Sequence, residues 1–193
     1  MPTTVIHEIV AKKITDKYHY LNDYDFYLGS IAPDAVNLEG FAEKSIRWNA
    51  HLRDSNLETW KKNIIDFYNH EEKSLFLKGY ITHIMTDIIY DQYIYDEVIE
   101  KIEKLNVENP HRYMTKEMDT FGNNKNHLYV INCLKNSNQT FEIRNISKEL
   151  LSKWKEKIIN QKLENRTSAY ITEEVIDKLF LLTTKELEKY NVI

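Results

Sequence analysis

The run from Leu75 to Tyr95 leaves this chain little choice of fold. It is largely apolar, carries few charges, and contains no proline and one glycine, Gly79. A continuous stretch of that length reads as the most buried helix of the protein. Within it stands Gly79-Tyr80-Ile81-Thr82-His83-Ile84-Met85-Thr86-Asp87. Residues four apart share a helix face, so His83 and Asp87 project side by side. Burying an ionised carboxylate is costly unless a cation or donors compensate it. A shared metal would do so, because imidazole nitrogen and carboxylate oxygen are both good ligands for zinc or iron. A direct hydrogen bond between the two side chains would do so as well.

The rest of the chain is equally poor in helix breakers. With 4 glycines and 3 prolines in 193 residues, the expected class is all-α, a compact multi-helix bundle forming one domain over residues 1–193. The formal net charge of −4 provides no broad basic surface, which argues against duplex nucleic acid as a partner. The one cysteine, Cys133, excludes an internal disulfide, fits a reducing compartment and reads as a core thiol. The sequence Met-Pro-Thr-Thr-Val-Ile-His-Glu has neither a basic n-region nor an apolar h-region, and no apolar run is uninterrupted enough to span a membrane. The expected location is cytoplasmic.

Along the chain, Thr3 or Thr4 caps a first helix with Val5, Ile6, Ile9, Val10 and Ile14 as its apolar stripe, and His7 on the flank. Asn22 to Ala32 is a short aromatic-rich helix stopped by Pro33. Asp34 follows that abrupt stop, a fixed point from which a carboxylate can be aimed, although turns are also where aspartate ordinarily belongs. Residues 35–54 read as a loop holding His51 and Arg53. Ser55-x-x-Glu58 reads as a capping box for a helix with Leu57, Trp60, Ile64 and Tyr68 inward. After the central helix, Asp96 to Leu105 continues as a more polar helix beyond a kink. Residues 106–126 read as irregular, with Asn109-Pro110 and Gly122-Asn123-Asn124 as turn signals. That stretch offers His111, Glu117 and Asp119. Ser147 and Thr172 cap two final amphipathic helices.

Taken in order, His7, Asp34, His51, His83 and Asp87 resemble the pattern of the zinc-dependent phospholipase C and single-strand nuclease superfamily. The resembling parts are the early histidine on the first helix, Gly-Ser-Ile-Ala-Pro-Asp ending at Asp34, Ala-His-Leu-Arg-Asp around His51, and the Gly-Tyr-Ile-Thr-His-Ile-Met-Thr-Asp segment. The resemblance implies an all-α bundle with metals in a cleft between helices. It implies that Asp34, His51, His83 and Asp87 surround one ion, and that Asp87 bridges to a second which His7 helps to hold. It also implies that Asp34 accepts a proton from the attacking water. The pattern departs from the secreted members. The chain starts Met-Pro where they have a processed N-terminal tryptophan. Tyr93 stands at their third-metal histidine, and their later His-x-x-x-Glu pair is missing. The match is therefore to the short intracellular bacterial branch, with one or two ions, completed by His111, Glu117 or Asp119.

The expected function is hydrolysis of a phosphoester, either a small substrate or a lipid headgroup, by water activated at a divalent metal, zinc foremost. Arg53 is the candidate phosphate contact; as an ordinary surface arginine it would pair with Asp54 or Glu58 instead. Two other readings stand beside this one. A helical binding module could keep a structural metal. An HD-type phosphohydrolase would need an adjacent His-Asp dipeptide, which the sequence lacks.

Overall fold

The computed structural model describes residues 1–20, 23–121, 125–137, 141–163 and 168–193. Asn22 and the Gly122-Asn123-Asn124 turn lie outside the described residues. The described chain is all-α. Its helices are α1 (Thr4–Tyr18), α2 (Tyr24–Ile31), a 3-10 turn η1 (Ala32–Asn37), α3 (Lys44–Ala50), α4 (Leu57–His70), α5 (Leu75–Tyr93), α6 (Tyr95–Glu103), α7 (Pro110–Phe121), α8 (Lys125–Asn136), α9 (Lys148–Ile159) and α10 (Glu173–Lys189). Among the described residues no helix is long and apolar enough to cross a membrane.

α5 runs through the middle of the core. Every residue from Gly79 to Tyr90 is buried, including His83 and Asp87. Ser74 caps its start by accepting the Leu77 N–H, and the helix breaks at Ile94 before α6 begins. The most extensive helix pair among the described residues is α2 on α5. Two glycines make it possible. A methyl group at Gly79 would fall 2.0 Å from the Phe26 carbonyl oxygen, and one at Gly29 the same 2.0 Å from that of Phe76. The two backbones therefore touch directly, with no side chain between them.

Three stretches differ from the sequence reading. Residues 35–54 are not a loop throughout: η1 runs on to Asn37 and the short helix α3 ends just before His51. Residues 110–121 form α7. Pro110 sits at the first helical position, where a missing N–H costs nothing, so the turn signal was in fact a helix start. α4 is capped by the Asn56 side chain, which accepts the Thr59 N–H at 2.9 Å, in place of the Ser55 box. Ser147 and Thr172 do cap α9 and α10.

Candidate metal centre

The close α2–α5 crossing fixes the first donor. It brings the Ser30 carbonyl to 2.7 Å from His83 Nδ1, which donates to it. The ring therefore turns its Nε2 lone pair the other way, towards Asp87 one turn along the same helix. His51 is fixed by the same device from a different element. It ends α3, and its Nδ1 donates to the Arg47 carbonyl at 2.9 Å. Its own carbonyl accepts the Trp60 indole N–H at 2.8 Å, while Leu52 turns back in the left-handed region at φ 51°. Asp34 lies in η1 directly after Pro33, and the Thr4 hydroxyl donates to its Oδ2 at 3.3 Å. The carbonyl before η1, Ile31, is held by the Trp154 indole at 2.9 Å.

Five side chains thereby meet, all of them buried. Asp34 Oδ1 lies 3.6 Å from His51 Nε2 and 4.0 Å from His83 Nε2. Asp87 Oδ2 lies 3.6 Å from His51 Nε2 and 3.8 Å from His83 Nε2. The other oxygen of Asp87, Oδ1, faces His7 Nε2 at 3.4 Å. The His7 ring is stacked on that of His83, with centroids 3.6 Å apart and planes 13° from parallel.

None of these approaches is a well-formed hydrogen bond. Both oxygens of Asp87, Nε2 of His51 and Nε2 of His83 are buried without a hydrogen-bond partner. Buried polar atoms are rarely left so, and three of them, Asp87 Oδ2 and the Nε2 atoms of His51 and His83, gather with Asp34 Oδ1 as donors around a cation would. Donors bound to zinc at tetrahedral angles stand about 3.4 Å apart, so these atoms need close in by only a few tenths of an ångström. The charge states suit that role. Burial opposes ionisation of Asp34, but His83 and His51 outweigh it and hold the carboxyl below the usual carboxylate range. Burial likewise opposes charge on Asp87, and His7 and His83 outweigh it. Burial and the adjacent His7 push His83 down to about 3, which leaves a neutral ring with a free lone pair. Burial works against the charged form of His51 too, but Asp34 and Asp87 prevail and its pKa is raised.

Asp34 is also where the centre meets the surface. It lies in a cleft of about 930 Å³ whose walls include Arg53, Asp91, His111, Asp119 and Trp154. Arg53 pairs neither with Asp54 nor with Glu58. Its guanidinium donates to Asp91 at 2.9 Å and stacks 4.6 Å from the Trp60 ring, while Asp54 accepts the Asn56 N–H. His111 is held on the cleft wall by Tyr95, whose hydroxyl meets Nδ1 at 2.9 Å. Asp119 lines the cleft as well. Glu117 is excluded from it by its contacts: its Oε2 accepts the Ser168 hydroxyl and the N–H groups of Ala169 and Tyr170. One buried pair escaped the sequence reading. Glu8 Oε2 accepts from His127 Nδ1 at 2.7 Å, joining α1 to α8 across 119 positions. The pattern of α1 carried no signal of it, because Glu8 lies on the opposite side of the helix from the centre of the stripe formed by Val5, Ile6, Ile9, Val10 and Ile14.

Buried nitrogen and oxygen donors gathered behind an all-α cleft, with Asp34 on its wall, make a helical metal centre. The chain belongs to the zinc-dependent phospholipase C family, whose model matches residues 1–176. Neither the curated proteins nor the solved structures gave a match. The family and the buried His/Asp groups together identify the cofactor as a divalent metal, zinc by the family's name. Membership also sets aside the HD-type reading.

Proposed function

We propose that this chain is a metal-dependent phosphoesterase whose donors are Asp34, His51, His83 and Asp87, with His7 beside the second oxygen of Asp87. A divalent ion held there would lower the pKa of a bound water and neutralise charge on a phosphoester. The rest is work for the chain's own groups. Asp34 is the donor that lies in the cleft, so by position it is the residue placed to accept the proton of the attacking water. Thr4 holds its Oδ2 and leaves Oδ1 directed at the histidines. Arg53, steadied by Asp91 and Trp60, offers its remaining N–H groups to phosphate oxygens from the wall. A small phosphoester or a lipid headgroup suits such a cleft. The single cysteine, Cys133, fits a reducing, cytoplasmic setting.

The observation that carries this reading is the cluster itself: donors from α1, η1, the end of α3 and α5 meet, four buried atoms of His51, His83 and Asp87 among them lack a hydrogen-bond partner, and the cluster opens on a cleft through Asp34. The test is turnover of an aryl phosphodiester with zinc or manganese, lost on adding a chelator. Absence of turnover on any phosphoester with any metal refutes the enzyme. One observation favours a binding module instead, because four protein donors around one ion is the closed pattern of structural zinc. Retained metal with no turnover would decide for that reading. Within the enzyme reading, Arg53→Ala should raise KM; an unchanged KM returns Arg53 to a purely structural pair with Asp91.

A further inference from the structure

Two overlapping donor groups share His83: His7, His83 and Asp87 form one, and Asp34, His51 and His83 the other. They cannot both use it. Nδ1 of His83 is committed to the Ser30 carbonyl at 2.7 Å, so the ring has one lone pair, on Nε2, and one lone pair binds one ion. That nitrogen faces Asp87 Oδ2 at 3.8 Å and Asp34 Oδ1 at 4.0 Å, the same two oxygens that His51 Nε2 faces at 3.6 Å each. His83 therefore completes an inner set of four. What remains for an outer position is His7 Nε2 and Asp87 Oδ1, 3.4 Å apart.

The two sets also differ in support. Both inner histidines are oriented by backbone carbonyls, and Asp34 by Thr4. His7 Nδ1 has no hydrogen-bond partner, so no acceptor orients the ring, which rests on its stacking against His83 and its approach to Asp87. Loss of an orienting partner typically weakens a metal by about 10–100-fold, before the two missing donors are counted. Charge adds a third inequality. One dication on the inner set is balanced by the carboxylates of Asp34 and Asp87. A second, sharing Asp87, leaves the buried cluster two charges positive, and burying unbalanced charge is costly. Glu8, next to His7 in the chain, is committed to His127. A phosphate group supplies the missing negative charge.

We infer that the ion positions on either side of Asp87 are unequal: the inner one is held by the resting protein, while the outer one fills from free divalent metal together with an anionic phosphate ligand. Resting on the proposed function, this makes the hydrolase dependent on ambient metal, and makes its substrate part of its own metal site. Because coupling between two ligands is reciprocal, phosphate must tighten the outer metal by the same factor as that metal tightens phosphate.

The experiment is elemental analysis of zinc-loaded, dialysed protein, followed by calorimetric titration with manganese, with and without inorganic phosphate. One zinc per chain should survive dialysis. A second, manganese-binding event should be at least about 100-fold weaker, and phosphate should strengthen it by about 10-fold or more. His7→Asn should abolish the second event and keep the retained zinc, with folding checked by circular dichroism. Two equally retained ions, a second event indifferent to phosphate, or a retained zinc lost in His7→Asn each overturns the inference. With turnover present, those results leave the proposed function standing. Retention of no metal together with no turnover overturns both.

Discussion

Replacing Gly79 with alanine probes the link between helix packing and the metal centre. The added methyl group would stand 2.0 Å from the Phe26 carbonyl oxygen, with the Phe26 carbonyl carbon and the Ser30 N next, each at 2.9 Å. Carbon and oxygen in ordinary contact sit about 3.3 Å apart or more, so α2 and α5 must separate by more than ~1 Å. Overpacking costs about 1–3 kcal/mol where side chains can yield, and backbone cannot, so the upper figure applies. Alanine returns about 1 kcal/mol of helix propensity. The net loss is about 2 kcal/mol in the metal-free protein. The same separation stretches the 2.7 Å bond from His83 Nδ1 to Ser30 beyond hydrogen-bonding range. The freed ring should then cost about 10–100-fold in zinc affinity. Urea unfolding and a competitive zinc titration measure the two effects. Gly29→Ala makes the mirror-image clash against Phe76, so the double variant should lose clearly less than the sum of the singles. Gly40→Ala is the control: its φ of 122° makes it strained, by about 1 kcal/mol, but it has nothing within 4 Å and should bind zinc normally. A Gly79→Ala protein with wild-type urea midpoint and wild-type zinc affinity would refute the reasoning.

Asp87→Asn should empty at least one metal position and remove most turnover, because both oxygens are charged, buried and unshared with any hydrogen-bond donor. Asp34→Asn should keep more metal yet lose roughly two to four orders of magnitude in rate; equal metal loss in the two variants would erase the distinction between ligand and base. Metal should raise the melting temperature. At a hundred times its Kd it contributes about 2.7 kcal/mol, or roughly 5–11 °C for a chain of this size, and an unchanged melt with metal loss confirmed would contradict that. Zinc binding should also weaken with acid. Burial disfavours charge on His51, but Asp34 and Asp87 raise its pKa above 6.5, so below that raised value the ring holds a proton that zinc must displace. Affinity therefore falls, and proton release rises, as pH drops through the neutral range; calorimetry in buffers of different ionisation enthalpy would expose a pH-independent affinity.

The central helix was legible because its apolar run admits no other packing, and the all-α class because so few residues interrupt such runs. The order of His7, Asp34, His51, His83 and Asp87 was legible through a resemblance, since no local rule brings positions eighty residues apart together. What stayed hidden was mostly backbone. The acceptors that orient His51 and His83 are the carbonyls of Arg47 and Ser30, which carry no sequence signature. α7 was hidden because Pro110 signals a turn and a helix start alike. Arg53 found Asp91 and Trp60, and Glu117 found a distant loop, through tertiary approach that overrode the nearer charges at Asp54 and Glu58.

The donors of the inner set come from η1, the end of α3 and α5, and only His83 and Asp87 are neighbours on one helix. The remaining geometry exists only once α2 has docked on α5 and α3 has closed against Trp60. An unfolded chain offers an ion little to grip, and a half-assembled chain little more. Bound metal should therefore act on one direction of the folding reaction, leaving the refolding rate nearly unchanged and slowing unfolding. For such a protein the ion is a measure of lifetime: the loaded form persists and resists proteolysis because it opens seldom, while the stripped form folds just as fast and is lost sooner.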